Sequence, residues 1–194
     1  MKETKEMKFI SVFLLVLLLA GCSSMPGMPG YIEVTKSSFD GSTQLSMEPA
    51  FVFRSNDGFS GSDLQMSLLW RSAMNNNDVV LIAQVSGAKS IARGDSLHFN
   101  IDGQIESLKS IDELTNINYE PGVYSAVYIP GQNISSKRYV VTKEFIDKIL
   151  NASDVKVKLD LSQSFVEGIF TDTTTSSAYG AFKEFVKKAK LSGY

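Results

Sequence analysis

The one histidine, His98, lies in Ser96-Leu-His-Phe-Asn-Ile101, on the polar side of an alternating run, beside Asn100. An imidazole oriented by a carboxylate can act as a general base, and Asp95 is placed to be that carboxylate. The plainer reading is a solvated histidine on a strand face. One histidine and one cysteine, Cys22, cannot supply the four cysteine and histidine ligands of structural zinc. No metal or other cofactor is expected. Serine is abundant, but no Gly-x-Ser-x-Gly elbow, P-loop or Gly-x-Gly-x-x-Gly run occurs. Asp112, Glu113, Asp154, Asp160, Glu167 and Asp172 lack the spacing of a metal loop. Two of them would suit glycoside hydrolysis only if the fold set them about 5 to 9 Å apart in a cleft.

Trp70-Arg71 offers side chains common at interface hot spots. Trp70, however, shares its period-two face with Leu64, Met66 and Leu68, which assigns it to the core. Tyr119, Tyr124, Tyr128 and Tyr139 cluster around runs bounded by Pro and Gly. They could line a carbohydrate or peptide groove; the commoner arrangement buries each ring and leaves the hydroxyl wet. Lys187, Lys188 and Lys190 near the C-terminus suit a helix end and a solvated face, with anionic lipid as the alternative contact.

The elements that must position these residues are mostly strands. Tyr31 to Thr35, Ala50 to Arg54, Leu64 to Arg71, Asp78 to Val85, Ser96 to Ile101, Gln104 to Leu108, Val123 to Ile129, Arg138 to Val141 and Asp154 to Leu161 carry strand patterns. Phe165 to Phe170 is expected to pair back on the last of these across Ser162-Gln163-Ser164. Asp102-Gly103 between two such runs predicts a type I′ hairpin. Ser110 to Leu114 suggests one helical turn. Thr142 should cap a short helix with Phe145, Ile146, Ile149 and Leu150 on one side and a Glu144–Lys148 pair on the other. A last helix to about Lys190 presents Ala181, Phe182, Phe185, Val186 and Ala189 inward. The fold class expected is α+β: antiparallel β, as a sandwich or curled sheet, with two amphipathic helices near the C-terminus.

The N-terminus is of another kind. Lys2, Lys5 and Lys8 precede the apolar run Phe9 to Ala20, which is short of the roughly 20 residues a spanning helix needs. A positive segment, a short apolar run and small residues describe a secretory signal. Here the small residues abut a cysteine: Leu19-Ala20-Gly21-Cys22. This run resembles the lipobox of bacterial lipoproteins. The resemblance implies that Leu19, Ala20 and Gly21 are read by the signal peptidase. It also implies that Cys22 becomes the first residue of the mature chain, acylated on sulfur and on its new amino group. Two or more acyl chains anchor a protein stably, whereas one does so only marginally. Ser23 follows the cysteine. By the enterobacterial sorting rule that residue directs the protein to the periplasmic face of the outer membrane; a Gram-positive source would place it on the cell membrane. Glu3 and Glu6 sit oddly in a positive segment, and Met7-Lys8 would make a cleaner start than Met1.

The organisation expected is a signal peptide over 1–21, a lipidated tether over 22–30 and one globular periplasmic domain over 31–194. Ser23-Ser-Met-Pro-Gly-Met-Pro-Gly30 has the composition of a spacer. Three lysines and two glutamates leave with the signal, so the 19 basic and 21 acidic residues fall to a net charge of about −3. That excludes the basic footprint of a nucleic-acid binder. With Cys22 acylated no cysteine is left for a disulfide, so stability rests on the core. Asn133-Ile-Ser135 and Asn151-Ala-Ser153 match the glycosylation pattern but carry little weight behind a bacterial lipobox. The functional expectation is a non-enzymatic binding or scaffolding lipoprotein with an envelope protein or glycan as partner. The alternatives are a tethered hydrolase using paired carboxylates, and a small-ligand carrier for lipid or glycan with an apolar pocket between sheet and helices.

Overall fold

The computed structural model describes residues 27–53, 61–74, 77–124, 128–170 and 177–191, with backbone only at 53, 61–63, 123–124 and 128–129. Leu19, Ala20, Gly21 and Cys22, most of the tether, the turns at 56–58 and 75–76, and residues 173–176 lie outside the described residues. The described residues are mostly antiparallel β: a curled half-barrel sheet, a second small sheet and two helices. Among the described residues thirteen strands run in chain order: β1 Ile32–Lys36, β2 Thr43–Met47, β3 Ala50–Phe53, β4 Gly61–Arg71, β5 Asp78–Ser86, β6 Asp95–Ile101, β7 Gln104–Lys109, β8 Asn116–Glu120, β9 Val123–Tyr124, β10 Tyr128–Ile129, β11 Gln132–Thr142, β12 Val155–Asp160 and β13 Phe165–Ile169. The helices are α1, Lys143–Asn151, and α2, Ala178–Leu191.

The main sheet runs β7-β6-β12-β13-β3-β4-β5-β11-β8, with β1 and β2 branching from β4. The branch has a chemical cause. One edge of β4 pairs with β2 at Leu69 to Arg71 and with β3 from Gly61 to Met66. Glu48-Pro49 separates the two partners, and proline has no N–H to continue a ladder. The sheet therefore divides there into a β2–β1 arm and a β3–β13–β12–β6–β7 arm.

One face of the sheet holds the core. Leu64, Met66, Leu68 and Trp70 of β4 and Val79, Leu81, Ala83 and Val85 of β5 are buried together with Leu97, Phe99, Val155, Val157 and Leu159. The inward residues named from alternation are thus the ones that pack. α2 covers this face with Ala181, Phe182, Phe185, Val186 and Ala189, and Phe182 meets Phe170 edge to face at 5.2 Å. α1 adds Ile146 and Ile149, and Phe145 meets Phe99 edge to face at 5.1 Å. The Thr142 hydroxyl accepts from the Phe145 N–H at 3.3 Å, as an N-cap should.

The sequence reading departs from the structure in several places. Ser110 to Leu114 is no helical turn but an irregular loop, because Ser110 bridges to Tyr139 and Ile111 N–H donates to Arg138 O. Val123 to Ile129 is two short strands paired with each other, at Tyr124–Tyr128 and Val123–Ile129. β2 and β8 were not foreseen, and the strand expected over Arg138 to Val141 begins six residues earlier, at Gln132. Glu144 and Lys148 do not pair with each other: Glu144 takes the Asn77 amide and Lys148 takes Glu106.

Candidate polar groove

A recess of about 670 Å³ lies on the face of the sheet turned away from the core. Its floor follows from strand register. Gln65 of β4 stands opposite Gln84 of β5, Gln84 opposite Ser136 of β11, and Ser136 opposite Asn116 of β8. The next rung is Ser67, Ile82 and Arg138 on the first three of those strands. A period of two places every one of these side chains opposite the core residues. Gln84 Nε2 donates to Gln65 Oε1 at 2.8 Å, so the first rung is bonded across strands. Asn118 extends the β8 wall, and Pro49, at the point where the sheet divides, closes the far rim.

The near wall is the loop from Ser110 to Thr115, and it is fastened at four places. Asp112 accepts from Arg138 Nη2 at 2.6 Å and from the Arg138 backbone N–H at 2.7 Å. Ser110 Oγ donates to Arg138 O at 3.1 Å and accepts from Asp112 N–H at 3.0 Å. Thr115 Oγ1 accepts from Ile91 N–H at 2.8 Å and donates to Ile91 O at 3.3 Å. Lys137, 1% exposed, donates from Nζ to Ala92 O at 3.0 Å and to Glu113 O at 3.5 Å. Such a wall is formed before any ligand arrives, which lowers the ordering cost of binding.

The electrostatics are self-cancelling. Hydrogen bonds from Arg138 hold the Asp112 carboxyl below the usual carboxylate range, and the same contact raises the Arg138 guanidinium. The two charges that line the groove therefore neutralise each other, and what remains is amide and hydroxyl. Asp112 is kept ionised, which unfits it for donating a proton to a leaving group.

His98 lies elsewhere, on β6. Its Nδ1 is 2.8 Å from Ser107 Oγ on β7, and its Nε2 is 3.0 Å from Asp160 Oδ2 on β12. The partner is therefore Asp160, not Asp95, which opens β6 opposite Lys109. Serine, imidazole and carboxylate are aligned as in a nucleophile–base–orienter set. None of the three lines the polar groove. Lys158 Nζ also engages Asp160, at 3.0 Å. Burial pushes the Asp160 carboxyl up, but the bonds from Lys158 and His98 outweigh it and hold the group low. We read the cluster as a cross-strand tie over β7, β6 and β12.

The other residues singled out from sequence are dispersed. Trp70 is 2% exposed in the core, and Arg71 donates from Nε to Gln44 Oε1 at 2.6 Å. Tyr139 is fully buried with its hydroxyl 2.8 Å from Ser96 Oγ, not wet, whereas Tyr119 is 66% exposed. The side chains of Tyr124 and Tyr128 lie outside the description. A tyrosine-lined groove is thus not assembled from Tyr119 and Tyr139. The space between sheet and helices, where a carrier would keep its pocket, is occupied by Trp70, Phe99, Phe182 and Phe185. Among the described residues no group of three or more His, Cys, Asp or Glu could hold a metal, and no helix is long and apolar enough to cross a membrane.

The chain matches no protein-family model, no curated protein and no solved structure.

The groove was missed because its residues carry no motif. Asn116-Ile-Asn-Tyr-Glu120 does alternate, and weight given to that pattern would have found β8. The Asp112–Arg138 pair spans 26 positions and becomes visible only once β11 is placed.

Proposed function

We propose that this chain is a lipid-anchored bacterial envelope protein whose domain binds a neutral, hydroxyl- and amide-rich envelope component, a glycan strand, in the polar groove. The lipobox-like Leu19-Ala20-Gly21-Cys22 supports the anchor, and Ser23 supports the periplasmic face of the outer membrane as its address. The observation that carries the binding role is the rung of hydrogen-bonding side chains Gln65, Gln84, Ser136 and Asn116 across β4, β5, β11 and β8, flanked by Ser67 and Arg138, behind a fastened loop. The recess is within the roughly 300 to 1,000 Å³ range of ligand sites. Its lining of Gln84, Asn116, Asn118, Ser67 and Ser136 offers paired donors and acceptors without net charge.

The test has two parts. Palmitate labelling of the native protein should be abolished by Cys22→Ala; labelling that survives this change removes the anchor. Crosslinking in intact envelopes from positions 116 and 118 should capture glycan-bearing material, and Gln84→Leu with Asn116→Leu should abolish the capture. Equal capture by that variant removes the groove from the account.

A further inference from the structure

The tether meets the domain at the C-terminal helix. Gly30 lies against Ala181 of α2 so closely that a Cβ on Gly30 would stand 2.8 Å from the Ala181 Cβ. Two residues on, Lys188 Nζ donates to Ile32 O at 3.0 Å and sits 5.8 Å from the Tyr31 ring centroid. The chain therefore leaves the domain alongside α2. Eight residue steps separate Gly30 from Cys22, a reach of at most about 28 Å. A lipid-linked Cys22 keeps α2 within that distance of the bilayer.

The outward side of α2 is basic. Lys183, Lys187 and Lys190 follow at spacings of four and three and are exposed on one stripe, opposite Phe182, Phe185 and Ala189. Glu184, 3.8 Å from Lys187, offsets part of this charge, and Glu33 and Glu48 stand near the tether's seat. The helix still carries four lysines to one glutamate in a chain with a net charge of −2.

We propose that this lysine stripe of α2 is the membrane-facing surface of the domain and that it takes anionic phospholipid headgroups. The inference rests on the lipid-anchor reading. It adds an orientation: α2 covers the core face of β1 to β4, so the groove on the opposite face points away from the bilayer. Each lysine near an anionic surface contributes roughly fivefold in partitioning, and a Debye length of about 3 Å at 1 M salt removes the effect.

The test uses the acylated mature protein in vesicles of phosphatidylcholine, with and without phosphatidylglycerol. The rate at which a water-soluble amine reagent modifies each lysine is read by mass spectrometry. Lys183, Lys187 and Lys190 should react several-fold more slowly on the anionic vesicles, with recovery in 1 M salt, while Lys109 reacts equally on both. Equal rates at the α2 lysines overturn the proposal. A protein that washes off neutral vesicles refutes the anchor alone. The mature chain carrying Cys22→Ser then decides: it should prefer anionic over neutral vesicles by at least about tenfold. The preference should vanish on Lys183→Glu, Lys187→Glu and Lys190→Glu together, with the melting temperature held. No anionic preference, or one that survives the three changes, overturns the basic face.

Discussion

Arg138 holds Asp112 through both its guanidinium and its own backbone: Nη2 donates to Oδ1 at 2.6 Å and the backbone N–H donates to Oδ2 at 2.7 Å. The Arg138 side chain is 57% exposed, so solvent discounts the ion pair. Its work is local, since it ties the loop from Ser110 to Thr115 against β11. Asp112→Ala should cost about 1 kcal/mol of global stability and should open that loop to protease cleavage near Leu114. Because the folded carboxyl titrates below its unfolded value, its contribution is complete above about pH 4 and is lost as the pH falls through the folded pKa. Loop cleavage in the wild type should rise below pH 4 and be nearly pH-independent over that range in Asp112→Ala. Wild-type-like protection in the variant at neutral pH removes the tie from the account of the groove.

The β6–β7 turn is anchored beyond its own hairpin. Asp102 has φ of 49° and Gly103 a φ of 90°, the left-handed pair a type I′ turn requires. Asp102 Oδ1 also accepts from Ser153 N–H at 3.0 Å and Asp154 N–H at 2.8 Å, which fixes the approach to β12. Asp102→Asn keeps both an acceptor and a residue tolerant of positive φ, and should melt within about 0.5 kcal/mol of the wild type. Asp102→Ala loses the two bonds and adds left-handed strain, for about 2 kcal/mol. Chemical denaturation of the two variants separates these outcomes. Equal stability would mean that the side-chain bonds contribute nothing.

The strands that could be read in advance were those whose alternation reports burial on one side. Val155, Val157 and Leu159 of β12 and Leu64, Met66, Leu68 and Trp70 of β4 face the core as their spacing implies. β8 alternates, but every residue is exposed, so its alternation marks no buried face. The N-terminal part of β11 was hidden for a different reason. Its inward positions are Ser135 and Lys137, which face loops and bind Gly87 O and Ala92 O in place of packing. Asp95 was the natural partner for His98 by sequence distance, but β12 returns beside β6 and brings Asp160, 62 positions away, to the ring. The groove is the product of register between strands far apart in the chain, so no local pattern could disclose it.

Gly30 should tolerate no side chain. Its φ is 77°, and the space a Cβ would need is taken by Ala181. Gly30→Ala combines left-handed strain with a contact that must give, and the chain can relieve both by lifting off α2. Global stability should fall by about 1 to 2 kcal/mol. Lys188, released from Ile32 O, should react faster with an amine reagent. Unchanged Lys188 reactivity would show that the tether's seat on the helix is not held by this contact.

Tyr139 should make the protein sensitive to alkali. It is fully buried, and burial pushes its hydroxyl up to about 12 while the bond to Ser96 pulls the other way. A group whose folded pKa is raised gives stability that is complete below its unfolded value, near 10, and is lost as the pH climbs towards 12. Lys137 works in the opposite sense. Burial holds its ammonium low, so stability is gained as it sheds its proton on the way to the unfolded value. Tyr139→Phe isolates the first effect. At pH 7 it loses the bond to Ser96, whose side chain is 0% exposed, and should cost about 1 to 2 kcal/mol, or a few degrees of melting temperature. Above pH 10 the variant has no phenol to ionise there, so the gap to the wild type should narrow and close by about pH 12. Parallel melting curves at pH 7 and at pH 11 give the comparison. A gap of constant size would mean that the wild-type hydroxyl ionises no less readily in the fold than in water.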